Sequence, residues 1–257
     1  MNLFDAIFSD RPLSDIAVLY EQRHISYREL RDQTLRLAEV LDCLDLPVGD
    51  RVAILLQDSP EFIASFIFVC SVGAIAVPIN MALRVDEQRA ILNDCTASVA
   101  FIESELCNSL LSDAPERLRH LKEVLVVSRG RNDEYFRVDT QKTQQDRGEV
   151  PRMRSVSDLL KQTEGKPAFM SRSTVEESPA FILYTSGSTG EPKGAVHRQS
   201  DIFYTNKTFC REVLRLLPGD RLFSSSRLPF AYGLGNSFSF PLLNGVTTVL
   251  CRERPTG

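Results

Sequence analysis

The chain contains no tryptophan, only three histidines and no excess of positive charge. His24, His120 and His197 are scattered and give no metal-site spacing. Lys and Arg number 30 against 34 for Asp and Glu, a formal net charge of −4, so the basic footprint of a nucleic-acid binder is missing. Long apolar runs are missing too. The most apolar stretch, residues 62–78, is short for a membrane span, contains Gly73, and reads as a helix followed by a strand. The six cysteines, Cys43, Cys70, Cys95, Cys107, Cys210 and Cys251, form no Cys-x-x-Cys pair and sit mostly among apolar residues. That pattern favours buried reduced thiols in a cytoplasmic protein over a disulfide framework. Residues 1–9 lack a basic start followed by a long apolar run, so no secretory signal is expected. There is no low-complexity tract and no internal repeat.

What remains is an ordinary globular composition, 43% hydrophobic and 25% charged over 257 residues, enough for a sizeable core and one or two domains. Two short apolar runs, 16–20 and 24–27, flank polar Glu21, Gln22 and Arg23 and predict a hairpin. Ser26 is placed to cap the next helix, with Glu29 as its capping-box partner, and Leu30, Thr34, Leu37, Ala38 and Leu41 recur at helical spacing. Strands are then expected at 51–57, 74–79, 98–102 and 123–128, and helices from Ser59-Pro60, at 85–95 and at 103–120. Residues 129–178 turn polar, with a short helix expected at 155–162 and otherwise an exposed connection between two lobes. Beyond residue 194 a short return strand, a helix at 201–217, a strand at 221–226, a helix-like stretch at 237–243 and a last strand at 246–251 are expected. Strands alternating with helices predict an α/β fold, mostly parallel sheets flanked by helices and joined by right-handed crossovers. The expected division is a first lobe, 1–178, carrying the polar connection 129–178, and the start of a second, 179–257.

The most informative stretch begins Phe181-Ile182-Leu183-Tyr184 and continues Thr185-Ser186-Gly187-Ser188-Thr189-Gly190-Glu191-Pro192-Lys193-Gly194. An apolar strand delivers a loop dense in hydroxyls and glycines. Hydroxyls beside exposed backbone N–H groups suit the oxygens of a polyphosphate, and Lys193 adds a mobile positive charge. The spacing is not that of a Walker A loop, because Pro192 falls where its second glycine should be. Pro192 also argues against a helix beginning inside the loop. Such a concentration is unusual for a plain surface loop, so phosphate binding is the favoured reading. A second stretch, Phe230-Ala231-Tyr232-Gly233-Leu234-Gly235, places two aromatics and two glycines at a strand-to-helix junction. It fits a wall for a flat apolar group, with Gly233 leaving room beside it. Residue chemistry alone fits core packing and a tight turn equally well.

Residues 184–194 resemble the signature loop of the adenylate-forming superfamily of acyl-CoA synthetases, nonribosomal-peptide adenylation domains and luciferases. Tyr27-Arg28-Glu29-Leu30, Gly49-Asp50-Arg51-Val52-Ala53-Ile54 and Gly73-Ala74-Ile75-Ala76-Val77-Pro78-Ile79-Asn80 resemble its amino-terminal landmarks in their usual order. The run from Arg227 to Asn236, with Phe240-Pro241-Leu242, Gly194-Ala195-Val196-His197 and Glu253-Arg254-Pro255-Thr256, is similar to benzoate-CoA ligases and related aryl-CoA ligases. Arg198 and Gln199 depart from that subgroup, which commonly has Thr and a second His there, whereas the lack of His near Phe230 favours it over fatty-acid and acetate ligases. The resemblance implies two Rossmann-like lobes and ATP-dependent activation of an aromatic or cyclic carboxylic acid to an acyl-adenylate. A thioester with coenzyme A would follow, with Mg²⁺ accompanying the phosphates. It implies that Thr185, Ser186, Gly187, Ser188, Thr189, Gly190 and Lys193 hold the phosphates, Thr185 and Lys193 in catalytic roles. Phe230, Ala231, Tyr232 and Gly233 would border the acid. Transfer to a carrier-protein pantetheine or an amine, and a non-catalytic remnant, are the alternatives. The family's adenine, ribose, magnesium and carboxy-terminal lysine motifs lie further along its length, so metal ligands stay unassigned. This chain is expected to be an amino-terminal piece, inactive by itself.

Overall fold

A computed structural model describes residues 2–42, 44, 46–111, 118–128, 151–156, 176–186 and 192–252, with backbone alone for residues 39–42 and 186. The short helix α1 (Leu3–Phe8) opens the chain, capped by the Asn2 side chain, and was not anticipated. The hairpin follows as β1 (Ile16–Tyr20) and β2 (Arg23–Ser26). Helix α2 (Tyr27–Asp42) starts where the capping box places it: Glu29 accepts from the Ser26 N–H and hydroxyl, both at 2.7 Å. Then come β3 (Arg51–Leu55), α3 (Pro60–Ser71), β4 (Ile75–Pro78), α4 (Val85–Asp94), β5 (Val99–Glu103), α5 (Ser104–Leu111), β6 (Glu123–Val127) and β7 (Arg152–Ser155). Helix α3 begins as Ser59-Pro60 dictates, the Ser59 hydroxyl accepting from the Phe62 N–H at 3.2 Å with Pro60 in the first turn.

The remaining elements are β8 (Pro179–Ser186), β9 (Pro192–Arg198), α6 (Gln199–Thr205), β10 (Arg221–Phe223), α7 (Ala231–Leu234), α8 (Phe240–Leu243) and β11 (Thr247–Leu250). Two π-helical segments, Asn206–Leu214 after α6 and Gly235–Ser239 between α7 and α8, replace regular helix. The helix expected at 201–217 therefore runs from residue 199, changes pitch at Asn206 and stops at Arg215, whose φ of 54° ends it. The helix expected at 103–120 is shorter: Glu103 completes β5, and Arg119 and His120 form a turn. Within the polar connection, Arg152–Ser155 is a strand, paired parallel to β6. Residues 157–162 of the helix expected there lie outside the described residues.

The strands build two sheets, one of order β7-β6-β5-β3-β4-β8-β9 and one of order β10-β11-β1-β2. In the larger sheet only β9 runs antiparallel to its neighbour, and in the smaller only β2 does. Each sheet takes strands from both sides of residue 178. Every residue of α3 except Glu61 is buried, as expected of a helix apolar on all sides. Phe66 explains why: its ring packs 5.6 Å from Phe181 in the larger sheet and 5.0 Å from Phe238 in the crossover of the smaller one. One core cluster thus spans both sheets, and a second, holding Ile91, Leu92, Leu110 and Ile182, lies on the other face of the larger sheet. Cys70, Cys95, Cys107 and Cys210 are free and buried, and Cys251 is free and exposed; Cys43 lies outside the described residues. Burial pushes the Cys95 thiol up to about 11 and the Cys107 thiol up to about 12, the state of inert core thiols. No helix among the described residues is long and apolar enough to cross a membrane.

Candidate active site

The glycine- and hydroxyl-rich stretch is the tip of a hairpin. Strands β8 and β9 pair antiparallel in the register Phe181↔His197, Leu183↔Ala195, Tyr184↔Gly194, Thr185↔Lys193. Directly opposite residues share a face of the sheet, so the Thr185 and Lys193 side chains leave the same face at the base of the tip, both exposed. Pro192 begins the return strand, in keeping with a loop that opens into a strand and not a helix. Gly187, Ser188, Thr189 and Gly190 lie outside the described residues, as does the Ser186 side chain.

The two faces of this hairpin are treated differently. Further down the Thr185/Lys193 face, the His197 ring stacks on Phe181 at 4.6 Å with planes 7° apart, and Phe181 joins the core shared by the two sheets. On the other face the Tyr184 ring lies across Gly194, where an added Cβ would come 3.0 Å from the ring and 2.9 Å from Ile182. The Tyr184 hydroxyl donates a short hydrogen bond to Asp94 at the end of α4. Burial, reinforced by that bond, pushes the phenol well above its usual range, so Tyr184 stays a neutral donor that anchors the hairpin from behind.

Strands β3, β4, β5, β6 and β8 are parallel, so their carboxyl ends share one edge, and the hairpin tip follows β8 there. The chain lays β4 on one side of β3 and returns past it to add β5 on the other, the reversal at which ligands bind in open α/β sheets. Here the buried Glu103 side chain occupies that reversal and accepts from the Gln57 N–H at 2.9 Å. The open space is displaced to the β4 side. A cleft of about 340 Å³ is lined by Gln57 and Asp58 after β3, Asn80 and Met81 after β4, and Arg227 and Phe230 after β10, with Arg252 after β11 closing it. Strand carboxyl ends from both sheets therefore converge on one cavity.

Asp58 is the pivot of that convergence. It is 6% exposed, and its two oxygens accept from the Leu228 N–H at 3.0 Å and the Arg227 guanidinium at 3.4 Å. Burial pushes its carboxyl above the usual range, opposed by those two donors. Arg227 also donates to the carbonyls of Cys251 at 2.6 Å and Arg252 at 2.7 Å. Next to this lie the aromatic residues singled out from the sequence. Phe230, Ala231 and Tyr232 are exposed, Tyr232 at 67%. Gly233 is buried, and a Cβ there would meet the Arg227 carbonyl oxygen at 2.0 Å. The room Gly233 leaves is filled by the chain's own backbone at Ser226 and Arg227, so its place is that of a tight turn and not of open space beside a ligand.

The structure thus joins Thr185 to Lys193 and lines the cleft with Phe230, while Ala231, Tyr232 and Gly233 follow at the start of α7. Asp58, Asn80, Arg227, Arg252 and Asp94 were not singled out beforehand. Only the Asp-Ser-Pro run at a strand end hints at Asp58, because its partner Arg227 is 169 residues away. No group of three His, Cys, Asp or Glu side chains that could hold a metal ion exists among the described residues, so no magnesium ligand is assigned.

A benzoate–CoA ligase of Thauera aromatica is 34% identical over 90% of this chain and 40% of its own length. A 4-hydroxybenzoate–CoA/benzoate–CoA ligase of Rhodopseudomonas palustris is 31% identical over 97% of this chain and 43% of its own length. The crystal structure of the anthranilate CoA ligase AuaEII in complex with anthranoyl-AMP superposes with a TM-score of 0.83 at 26% identity, covering 98% of this chain and 45% of that one. The chain spans about two fifths of the length of the curated relatives it matches. The family described as AMP-binding enzyme matches residues 4–256, and the chain belongs to it.

Proposed function

We propose that this chain supplies the phosphate-gripping hairpin and the acid-pocket edge of an enzyme that activates an aromatic carboxylic acid with ATP and passes it to coenzyme A. The observation that carries the reading is the Thr185/Lys193 pair at the base of the Ser/Gly/Thr hairpin, on the sheet edge that also opens the Phe230-lined cleft. A carboxylate is a poor acyl donor because oxide is a poor leaving group. Joining it to the α-phosphate of ATP with release of pyrophosphate supplies a good one, and a thiol then takes the acyl group. Charge develops on phosphate oxygens, so the protein's part is positioning and electrostatic. Lys193 neutralises that charge and the Thr185 hydroxyl donates to it. Ser186, Gly187, Ser188, Thr189 and Gly190 complete the grip. Phe230, Ala231 and Tyr232 face the ring of the acid, and Gly233 lets the turn close beneath them. The names of the relatives support an aromatic acid and coenzyme A as acceptor. Magnesium would arrive with the phosphates. Its buried thiols suit a cytoplasmic setting.

The test is acid-dependent ATP–pyrophosphate exchange by the protein carrying this chain at its relatives' length, with benzoic, hydroxybenzoic, 2-aminobenzoic, alicyclic and fatty acids. Exchange strongest with an aromatic acid is expected, with thioester formed on free coenzyme A. Preference for a fatty acid, or product only with a carrier protein or amine, would overturn the substrate or the acceptor. The 257 residues alone are expected to give no exchange, and exchange by them would overturn that statement.

A further inference from the structure

We propose that Asp58 and Arg227 form a positioning pair that fixes residues 228–232 over the carboxyl ends of β3 and β4, and so sets which acids are accepted without binding the acid themselves. The proposal rests on the reading of Phe230–Tyr232 as the acid-pocket edge. Both carboxylate oxygens of Asp58 and both terminal nitrogens of Arg227 already make hydrogen bonds within the protein. What they hold is a continuous path. Asp58 follows β3 of the larger sheet and bonds the Leu228 N–H. Arg227 ties the same carboxylate to the carbonyls at the end of β11 in the smaller sheet. Its own carbonyl accepts from the Phe230 N–H at 3.0 Å and lies where a Gly233 side chain would stand. Leu228 is fully buried, whereas Phe230 and Tyr232 are 43% and 67% exposed. The aromatic edge therefore takes its position from the backbone beneath it and not from packing of its own rings. A shift of the pair moves the wall of the cleft, and a displaced wall changes selectivity between rings of different substitution.

Hydrogen exchange on the 257-residue chain and acid selectivity in the exchange assay test this together. In Asp58→Ala and Arg227→Met the amides of Leu228 and Phe230 should exchange about tenfold faster, the worth of one charge-assisted hydrogen bond, while amides of β3 and β5 keep their protection. Asp58→Asn, which keeps a carbonyl acceptor for the Leu228 N–H but turns an NH2 toward the Arg227 guanidinium, should fall between wild type and Asp58→Ala. The ratio of kcat/KM for benzoate over 2-aminobenzoate should shift about tenfold in the first two variants, with the KM for ATP unchanged and the ratio only partly restored in Asp58→Asn. Unchanged Leu228 and Phe230 amides, or a loss of protection spread through β3 and β5, would overturn the positioning role. Faster amides with an unchanged ratio would overturn the selectivity role. If the wild-type protein activates no aromatic acid, the proposed function and the selectivity role fall together, and the amide result decides the positioning role alone.

Discussion

Two stretches of this chain handle apolar side chains in opposite ways. From β3 to β6 almost every strand residue is buried, and α3 between them is buried on every side. From residue 192 onward β9 and β10 are mostly exposed. Nine of the ten large hydrophobic side chains that stand exposed among the described residues fall at 192–252, Tyr204, Val213, Leu217 and Tyr232 among them. Both stretches alternate strand and helix. Both stretches feed the shared core, through Phe66 in one and Leu228, Leu234 and Phe238 in the other, but the second also fixes its turn through backbone contacts at Asp58, Arg227 and Gly233 and leaves more apolar side chains facing outward.

The largest expected effect attacks the enclosed stretch. Phe66→Ala removes a fully buried ring that bridges the two sheets, and chemical denaturation should show a loss of about 3–5 kcal/mol. A loss near zero would mean that the shared core does not hold the sheets together. Lys193→Ala lies on the outward side of the contrast: stability should stay within about 0.5 kcal/mol while pyrophosphate exchange slows roughly a hundredfold. An unchanged rate would remove Lys193 from the phosphate grip. Tyr232→Ala should change the ratio of activities among aromatic acids about tenfold and leave the KM for ATP alone. If it destabilises the fold as Phe66→Ala does, the distinction between the two stretches fails. Smaller still, Ser26→Ala should cost about 1 kcal/mol by removing the cap of α2. The pH dependence there has a definite sign. The Ser26 backbone N–H and hydroxyl lower the Glu29 carboxyl below its usual value, so Glu29 stabilises the fold at neutral pH and that gain disappears as pH falls through the lowered value. The stability difference between wild type and Glu29→Gln, from urea unfolding, should therefore be larger at pH 7 than at about pH 3.

What could be read beforehand was what is local. Ser26 with Glu29, and Ser59 with Pro60, announce helix starts within four residues, and the alternation from β3 to β6 repeats the same signal along the chain. The phosphate-binding reading needed only one contiguous loop. What could not be read was what only pairing decides. β7 hides in a polar segment because an edge strand takes its place from the register with β6 and needs little apolar alternation of its own. The π-helical segments reflect a shift in hydrogen bonding that apolar spacing does not report. Asp58 and Arg227, and Tyr184 and Asp94, are far apart in sequence and each is an ordinary polar residue until the fold joins them.

The interleaving of the two sheets bears on how the chain comes off the ribosome. β1 takes its parallel partner from β11, and the Arg11, Tyr27 and Thr247 side chains close that seam with hydrogen bonds spanning 219 to 231 residues. The β1–β2 hairpin must wait for roughly 220 further residues before its parallel partner β11 is made, whereas β3 to β6 can associate within about 80 residues of synthesis. Folding of this region should thus begin at β3 to β6, with the β1–β2 hairpin docking late and slowly because its parallel pairing is non-local.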